Sequence, residues 1–360
     1  MRRILKKIVV SINIFFIFML SLTYLAQIVK PTFLAFLQVL SLSYFYLLLI
    51  NIGFVIFWIV KKSKWAFLSL AFIALGYDNL QSTFQINFAE EGENTIKLIS
   101  YNVRAFDRYD WTKQKNSKQK IFEFIQAEQP DIVCYQEFFS KDKAGYSTFD
   151  TLLLIQKAKN HHLAYYKLPK ELNLSGVAIF SVYPIVSKGV LELDEHIFSI
   201  FVDLKIENDT IRVYNSHLQS VHFGEDNYNF IDNIENAEQE EMVPGIKNIY
   251  KKLVVAYEKR LEQSNLLTEH INECKHPKII CGDFNDGSNS YTYDRIKGNL
   301  LDAFEEKGFG FGFSYVRGIL KFRIDFIFHS HSIQTLDFST KRQNYSDHYP
   351  LIFKFRTASK

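Results

Sequence analysis

The sequence predicts an α/β domain built on mixed β-sheet, carried behind an apolar helical segment at the amino terminus. Three observations predict it. From Ile8 to Val60 the only charged residue is Lys30. Beyond residue 90, short runs rich in β-branched and aromatic residues alternate with amphipathic stretches. Polar residues able to do chemistry stand at the ends of six of those runs.

The apolar segment divides at Lys30-Pro31 into Ile8–Val29 and Thr32–Val60. Each is long enough to cross a hydrocarbon core of about 30 Å as a helix. Arg2, Arg3, Lys6 and Lys7 ahead of the first run would suit a signal peptide, but no small-residue cleavage site follows it. A third run, Trp65–Tyr77, reaches only about 20 Å as a helix. The expectation is an anchor over 1–88 with two or three transmembrane helices. Positive charge gathers before the first run and at Lys61, Lys62 and Lys64, which puts both on the cytoplasmic side. If the third run returns through the bilayer, the rest of the chain is extracytoplasmic, and that arrangement is expected.

Composition confirms two materials. The chain of 360 residues has 42 Lys+Arg, 39 Asp+Glu and a net charge of +3. Residues 1–90 hold eight basic and two acidic side chains; the 34 basic and 37 acidic ones that remain leave the rest at −3. Neither value suits a polybasic nucleic-acid coat or an acidic tail. Three cysteines, Cys134, Cys274 and Cys281, exclude a disulfide framework and match no zinc spacing. With 48% hydrophobic residues the chain is not disordered as a whole.

In order, strands are predicted at Thr95–Tyr101, Ile132–Tyr135, Gly176–Phe180, Ile197–Ile206, Ile211–Tyr214, Lys278–Cys281, Phe326–Phe328 and Leu351–Phe355. Asn208-Asp209 reads as a hairpin turn. Helical spacing appears over Ser117–Gln129 and Gly245–Cys274, and the polar stretch Val221–Pro244 reads as a loop or insertion over one end of the sheet. Asn102, Glu137, His217, Asp283 and Asn285 follow strands; Asp325, Asp347 and His348 precede or open the last two. If those last two strands run opposite to the others, all eight residues meet on one rim.

That set is rich in oxygen ligands. It lacks an activated Ser or Cys, a phosphate-cradling glycine loop and soft metal ligands. Carboxylates suit magnesium or manganese, imidazoles and carboxamides can hydrogen-bond phosphate oxygens, and a carboxylate can activate water. The inventory fits hydrolysis of a phosphoester by direct attack of water.

The order of blocks Ser100-Tyr101-Asn102-Val103, Gln136-Glu137, Ser175–Ser181 with Pro184-Ile185, Asn215-Ser216-His217-Leu218, Gly282-Asp283-Phe284-Asn285, Arg323-Ile324-Asp325 and Ser346–Leu351 resembles the endonuclease/exonuclease/phosphatase superfamily, deoxyribonuclease I-like. The resemblance covers about 96–356. It implies a four-layer sandwich over 95–357, two packed mixed β-sheets flanked by helices. It implies Mg2+ (or Mn2+) held by Glu137, with Asn102 beside it and Asp347 as a further ligand. It implies that Asp283 orients or activates water, that Asn285 contacts phosphate, that His217 contacts phosphate or helps the leaving group, and that Asp325 orients His348 near the scissile bond.

Substrate class stays open between nucleic acid, phospholipid and a small phosphoester, and between phosphodiester and phosphomonoester; a lipid phosphodiesterase or phosphatase would act at the bilayer beside its own anchor. His217-Leu218-Gln219 resembles a His-x-Gln of sphingomyelinase-like members. A non-catalytic membrane receptor with this fold is the remaining alternative, and nothing calls for an obligate protein partner. His161, His162, His222, His329 and His331 match no block and are read as structural or solvated, and Cys134 and Cys281 as packing residues.

Overall fold

The computed structural model describes residues 2–108, 114–140, 148–166, 175–221, 223, 226–227, 230, 239–317 and 320–357. His222 and most of the polar stretch before Gln239 lie outside them. The chain divides into two compact units. Residues 84–218, 263–285 and 295–360 form one; residues 1–83, 219–262 and 286–294 form the other, so the units cross the boundaries expected from sequence.

The larger unit carries the sheets. In the first sheet, β2 (Ile96–Asn102), β3 (Ile132–Phe139), β4 (Asn160–Tyr165), β5 (Ser175–Ser181), β15 (Ile333–Thr340) and β16 (Leu351–Thr357) take the order β15-β16-β2-β3-β5-β4. In the second, β6 (Ile185–Leu193), β7 (His196–Ile206), β8 (Asp209–His217), β9 (Lys278–Asp283), β10 (Leu301–Asp302) and β14 (Asp325–His329) take the order β10-β14-β9-β8-β7-β6. Each sheet has one parallel pair at its centre, β2 with β3 and β8 with β9, and antiparallel neighbours elsewhere. Two short antiparallel pairs complete the strands among the described residues: β1 (Gln85–Ile86) with β11 (Phe309–Gly310), and β12 (Tyr315–Arg317) with β13 (Leu320–Phe322).

The two sheets are mixed and flanked by helices, as the sequence implied. Alternation explains why. Ile96, Leu98, Ile132, Cys134, Val177 and Ile179 of the first sheet share a buried cluster with Val202, Val213, Ile279 and Ile327 of the second. The intervening residues, Ile99, Tyr101, Val133 and Tyr135, pack instead with Ile121, Phe122 and Ile125 of the helix Ser117–Glu128. Both faces of the first sheet are therefore covered, which is why its strands read as nearly continuous apolar runs. Behind the second sheet, Tyr214 Oη lies 2.8 Å from His270 Nδ1 on the helix Gln239–Glu273. That helix begins ahead of the expected Gly245 and carries Pro244 inside it.

At the rim, strands run past the expected ends because residues such as Asn102, Ser216 and Asp283 are polar yet buried. β7 and β8 join through Glu207-Asn208, with Ile206 paired to Asp209, one residue earlier than predicted. The edge strands β4, β6 and β15 escaped sequence reading, since half-exposed edges lack the apolar runs of central strands.

The smaller unit contains the apolar segment: α1 (Arg2–Leu25), α2 (Pro31–Ser41), α3 (Tyr44–Val60), α4 (Trp65–Leu75) and α5 (Tyr77–Gln81). The second apolar run is not one straight helix; α2 and α3 meet at 55°. Trp58 Nε1 donates to Asn13 Oδ1 at 2.8 Å and Asn51 Nδ2 to Phe16 O at 3.2 Å, so α3 runs antiparallel to α1. Asn13 Nδ2 donates to Ser69 Oγ and Tyr24 Oη to Phe72 O, both at 2.9 Å, so α4 runs parallel to α1.

At the rim, β3 bulges against β5 between Tyr135 and Phe138. The fully buried Asn215 of β8 reaches across from the second sheet, and its Nδ2 donates to Tyr135 O at 2.8 Å and Ala178 O at 2.9 Å. Its Oδ1 accepts from Gln136 Nε2 at 2.6 Å. Asn215→Leu leaves those carbonyls dry and unpaired, at about 1–3 kcal/mol for each group stranded. Thermal unfolding of the purified chain should show a Tm drop of several degrees, and an unchanged Tm would refute this role for the amide.

Candidate active site

The topology brings the eight sequence-predicted residues to one end of the sheets. β2, β3, β8 and β9 deliver Asn102, Glu137, His217 and Asp283 at their carboxyl ends. β14 and β16 are antiparallel to β9 and β2, so Asp325 opens its strand opposite Asp283, and Asp347-His348 sit just before Leu351, which pairs with Ser100. In the parallel pair β8–β9, His217 is in register with Asp283.

Local backbone aims these side chains. Glu137 occupies the bulge of β3 with φ of +50°, a left-handed conformation that turns a side chain out of strand alternation. Gly282, at φ of +137°, precedes Asp283; a Cβ there would lie 1.9 Å from Ser216 O, so only glycine permits this approach of β9 to β8. After Asn102, the residues Arg104, Ala105, Phe106 and Asp107 all have φ between +44° and +56°. A left-handed turn of four non-glycine residues costs about 1–2 kcal/mol per residue. Phe106, buried against Phe122, Tyr135 and Phe138, and Asp107, which accepts from Ser117 Oγ at 2.9 Å, hold it in place.

Asn102 joins the two sheets' carboxylates: its Nδ2 donates to Glu137 Oε1 at 3.2 Å and to Asp283 Oδ2 at 2.9 Å. Its Oδ1 accepts from Arg104 N at 3.0 Å. Arg104 Nη1 lies 3.2 Å from Asp347 Oδ2. Asp283 Oδ1 accepts from Asn285 N at 2.8 Å, while Asn285 Nδ2 donates to Leu218 O at 3.0 Å. His348 Nδ1 is 2.8 Å from Asp325 Oδ2 and its Nε2 is 3.6 Å from Asp283 Oδ2. His217 Nε2 stands 3.7 Å from both Glu137 Oε1 and Asp283 Oδ2.

Four contributors were not read from sequence. Tyr166 Oη lies 2.7 Å from His217 Nδ1 and also hydrogen-bonds the Glu137 main chain. Arg104 pairs with Asp347. Ser314 Oγ accepts from Ile324 N and Asp325 N at 3.1 and 3.0 Å, fixing the start of β14. Arg323, buried, grips Asp302 with Nη2 at 2.7 and 2.5 Å and stacks over Phe304. Tyr166, Arg104 and Ser314 stand in turns and loops with no spacing signal, so only the fold could reveal them; Arg323 stood in a sequence block without a role.

Charge decides the site's character. Burial pushes the Asp283 carboxyl up to about 6, with Asp325 adding to the rise and His348 and His217 opposing it. Burial and the Asp347 charge raise Glu137, against the Asn102 hydrogen bond and the charges of His348 and Arg104. Burial by itself would lower His348, but the charges of Asp325 and Asp283 outweigh it and hold the imidazole well above its ordinary value. The rim is thus a nest of carboxylates short of positive charge, and its oxygen donors fit a hard divalent cation. Asp283, Asp325 and His348 offer potential ligand atoms all within 4.8 Å of one another. Yet Asp325 and His348 already satisfy each other, and a protonated imidazole is no ligand. Glu137, with its side chain about a third exposed, has the more open carboxylate.

Similarity to known proteins follows the same residues. The sequence model of the Endonuclease/Exonuclease/phosphatase family matches residues 99–348, and that of a domain of unknown function matches residues 6–83. No curated protein matches the chain in sequence. An endonuclease/exonuclease/phosphatase from Bacteroides vulgatus is 16% identical at a TM-score of 0.54, covering 74% of this chain and 100% of that one. One from Beutenbergia cavernae is 15% identical at 0.53, covering 73% and 72%. The human Nocturnin catalytic domain with bound sulfate anion is 19% identical at 0.52, covering 76% and 97%. At these identities the structures establish the shared fold.

The sign of the His348 shift sets a test. A folded-state value above the unfolded one contributes stability that is complete below about pH 6.5 and is lost as pH rises through the folded value. In chelator-treated protein at pH 7, His348 should be an imidazolium by nitrogen NMR. Asp325→Asn should bring its titration midpoint down. A neutral His348 in the unmodified protein at pH 7 contradicts the assignment.

Proposed function

Because the chain belongs to the endonuclease/exonuclease/phosphatase family, we propose that it is a membrane-anchored, metal-dependent phosphoesterase that cleaves phosphodiester bonds by direct attack of water. The observation that carries this reading is the convergence of Glu137, Asp283, Asp325, His217 and His348 from both sheets on one rim, with Asn102 bridging two of the carboxylates.

Glu137 would hold a Mg2+ or Mn2+ ion, with Asn102 and Asp347 beside it. Asn102 would present Oδ1 by turning over its amide, which now offers Nδ2 to the carboxylates. Such an ion, when bound, neutralises the acid cluster and polarises a phosphate oxygen. Asp283 is the base that orients water: at about 6 its carboxyl is largely ionised at neutral pH yet basic enough to accept a proton, and Asn285 N holds Oδ1 in place. His348, kept protonated by Asp325, donates to the phosphoryl oxygens as negative charge grows. Tyr166 at His217 Nδ1 leaves Nε2 facing the carboxylates, so His217 serves as phosphate contact or proton donor. Asn285 is a phosphate contact.

The anchor reading rests on α1, whose 23 residues Arg3–Leu25 form an apolar span with only 22% of an 18-residue window buried, and on the bent pair α2–α3. A core helix of a soluble protein would be mostly covered. α1, α3 and α4 alternate in direction, so Lys6, Lys7 and Lys61–Lys64 share one end of the bundle and residues 76–83 leave from the other. That supports a catalytic domain on the side opposite the lysines, outside the cytoplasm.

With magnesium, the full chain should hydrolyse a phosphodiester panel of single- and double-stranded DNA, sphingomyelin and phosphoinositides unequally, the preferred member naming the substrate class. Glu137→Ala should abolish turnover with the domain still folded; surviving activity sinks the metal assignment. His217→Ala should keep magnesium affinity and lose about 10²–10⁴-fold in kcat. Protease added to intact cells should degrade the domain after residue 88, whereas full protection would place it in the cytoplasm.

A further inference from the structure

The apolar segment holds more buried amides than an anchor requires. A buried amide is expensive unless hydrogen-bonded. Asn13 and Asn51 bond other helices of the segment and account for themselves. A second group bonds elsewhere. Gln38, fully buried in α2, donates from Nε2 to Ala26 O at 2.7 Å and Val29 O at 3.1 Å. Its Oε1 accepts from Tyr291 N at 3.2 Å, and its main-chain oxygen accepts from Tyr257 Oη at 3.1 Å. Gln27 Nε2 reaches Ser288 O at 3.4 Å.

Asn289 is gripped from a third place. Asn79 Nδ2 donates to Asn289 Oδ1 at 2.9 Å and Ser82 Oγ to the same oxygen at 3.4 Å. Asn289 Nδ2 donates to Thr83 Oγ1 at 3.3 Å. Asn79, Ser82, Thr83 and Asn289 are all buried. Residues 288–291 are therefore clasped by side chains from the α1–α2 turn, from α2 and from the end of α5. This clasped stretch begins three residues after Asn285, on the same stretch of backbone that carries Asp283.

We infer that residues 27–83 are a positioning module for the active site: their amide clasp fixes Ser288–Tyr291, and through the intervening peptide bonds restrains Asn285 and Asp283. Asn289 is the central positioning residue, and none of its partners belongs to the rim. The consequence is that catalysis depends on the helical segment being assembled, which gives the segment matched by a domain of unknown function a second task besides anchoring. The kinetic part of this inference rests on the phosphoesterase reading; the clasp does not.

The test uses the full chain in lipid nanodiscs with magnesium, comparing wild type, Asn289→Ala, Asn79→Ala and Asn289→Asp. Amide exchange of the 284–291 peptide should quicken at least tenfold in both alanine variants, with exchange in α1, α3 and β2 unchanged. On bis(p-nitrophenyl) phosphate, kcat should fall at least tenfold with KM within twofold, and Asn289→Asp, which keeps the acceptor for Asn79 and Ser82, should restore most of it. Unchanged exchange at 284–291 in both variants overturns the clasp. Faster exchange there with unchanged kcat overturns the positioning role. A wild type inert on every phosphoester overturns the phosphoesterase reading instead, and the exchange result then decides the clasp alone.

Discussion

One amide between the sheets sets the geometry on which the rim depends. A bulge is the means by which β3 turns Glu137 toward the site, and a bulge leaves ladder carbonyls without strand partners. In a dry sheet interface those carbonyls must be satisfied. Asn215 of the opposite sheet does so for Tyr135 and Ala178 at once, and Gln136 closes the arrangement by bonding Asn215 Oδ1 and Ser100 Oγ, the latter at 3.2 Å. Apolar cross-sheet packing is non-directional and would tolerate a small slide of one sheet over the other. Two directed amide bonds would not. The carboxylate of Glu137 on one sheet is thereby registered against Asp283 on the other.

Registration brings like charges together, and that is the second constraint. Glu137, Asp283, Asp325 and Asp347 share the rim with two imidazoles, one arginine and two carboxamides. Each carboxylate has a defined counterweight: Arg104 for Asp347, His348 for Asp325, and Asn102 for Glu137 and Asp283 together. The last of these is a neutral donor shared by two acids, the weakest compensation in the site, and those two acids are the ones whose carboxyls are raised. A cation held by Glu137, as proposed, would relieve that deficit, and the strained turn at Arg104–Asp107 keeps the nearest arginine directed to Asp347 instead.

Much of this was legible in the sequence, for identifiable reasons. Central strands buried on both faces announce themselves as apolar runs, and polar residues ending such runs are hard to explain as packing; hence Asn102, Glu137, His217, Asp283, Asp325 and His348 were found before the fold was. The antiparallel return of β14 and β16 was a condition stated from their order alone. What was not legible is what long-range contact decides. Tyr166 and Arg104 sit in loops without periodicity. The bend between α2 and α3 has no proline or glycine at its corner, Leu42-Ser43, so hydropathy read one span. The grouping of residues 219–262 and 286–294 with the apolar segment leaves no mark on composition, because an asparagine in a loop looks the same whether it faces water or Asn79.

That grouping changes what the apolar segment must satisfy. A helix needed only to hold a domain near a bilayer is best made of leucine-like residues, since replacing a buried polar group by an apolar one of similar shape is often neutral or stabilising. Gln27, Gln38 and Asn79 contradict that economy unless direction matters as well as affinity. Single hydrogen bonds contribute modestly to net stability, so several of them spread over a loop give orientation more than stability. The loop they orient is short and follows Asn285 directly. Restraint reaches the rim by the strand that carries Asp283, and that is the strand whose Gly282 admits no slack against Ser216.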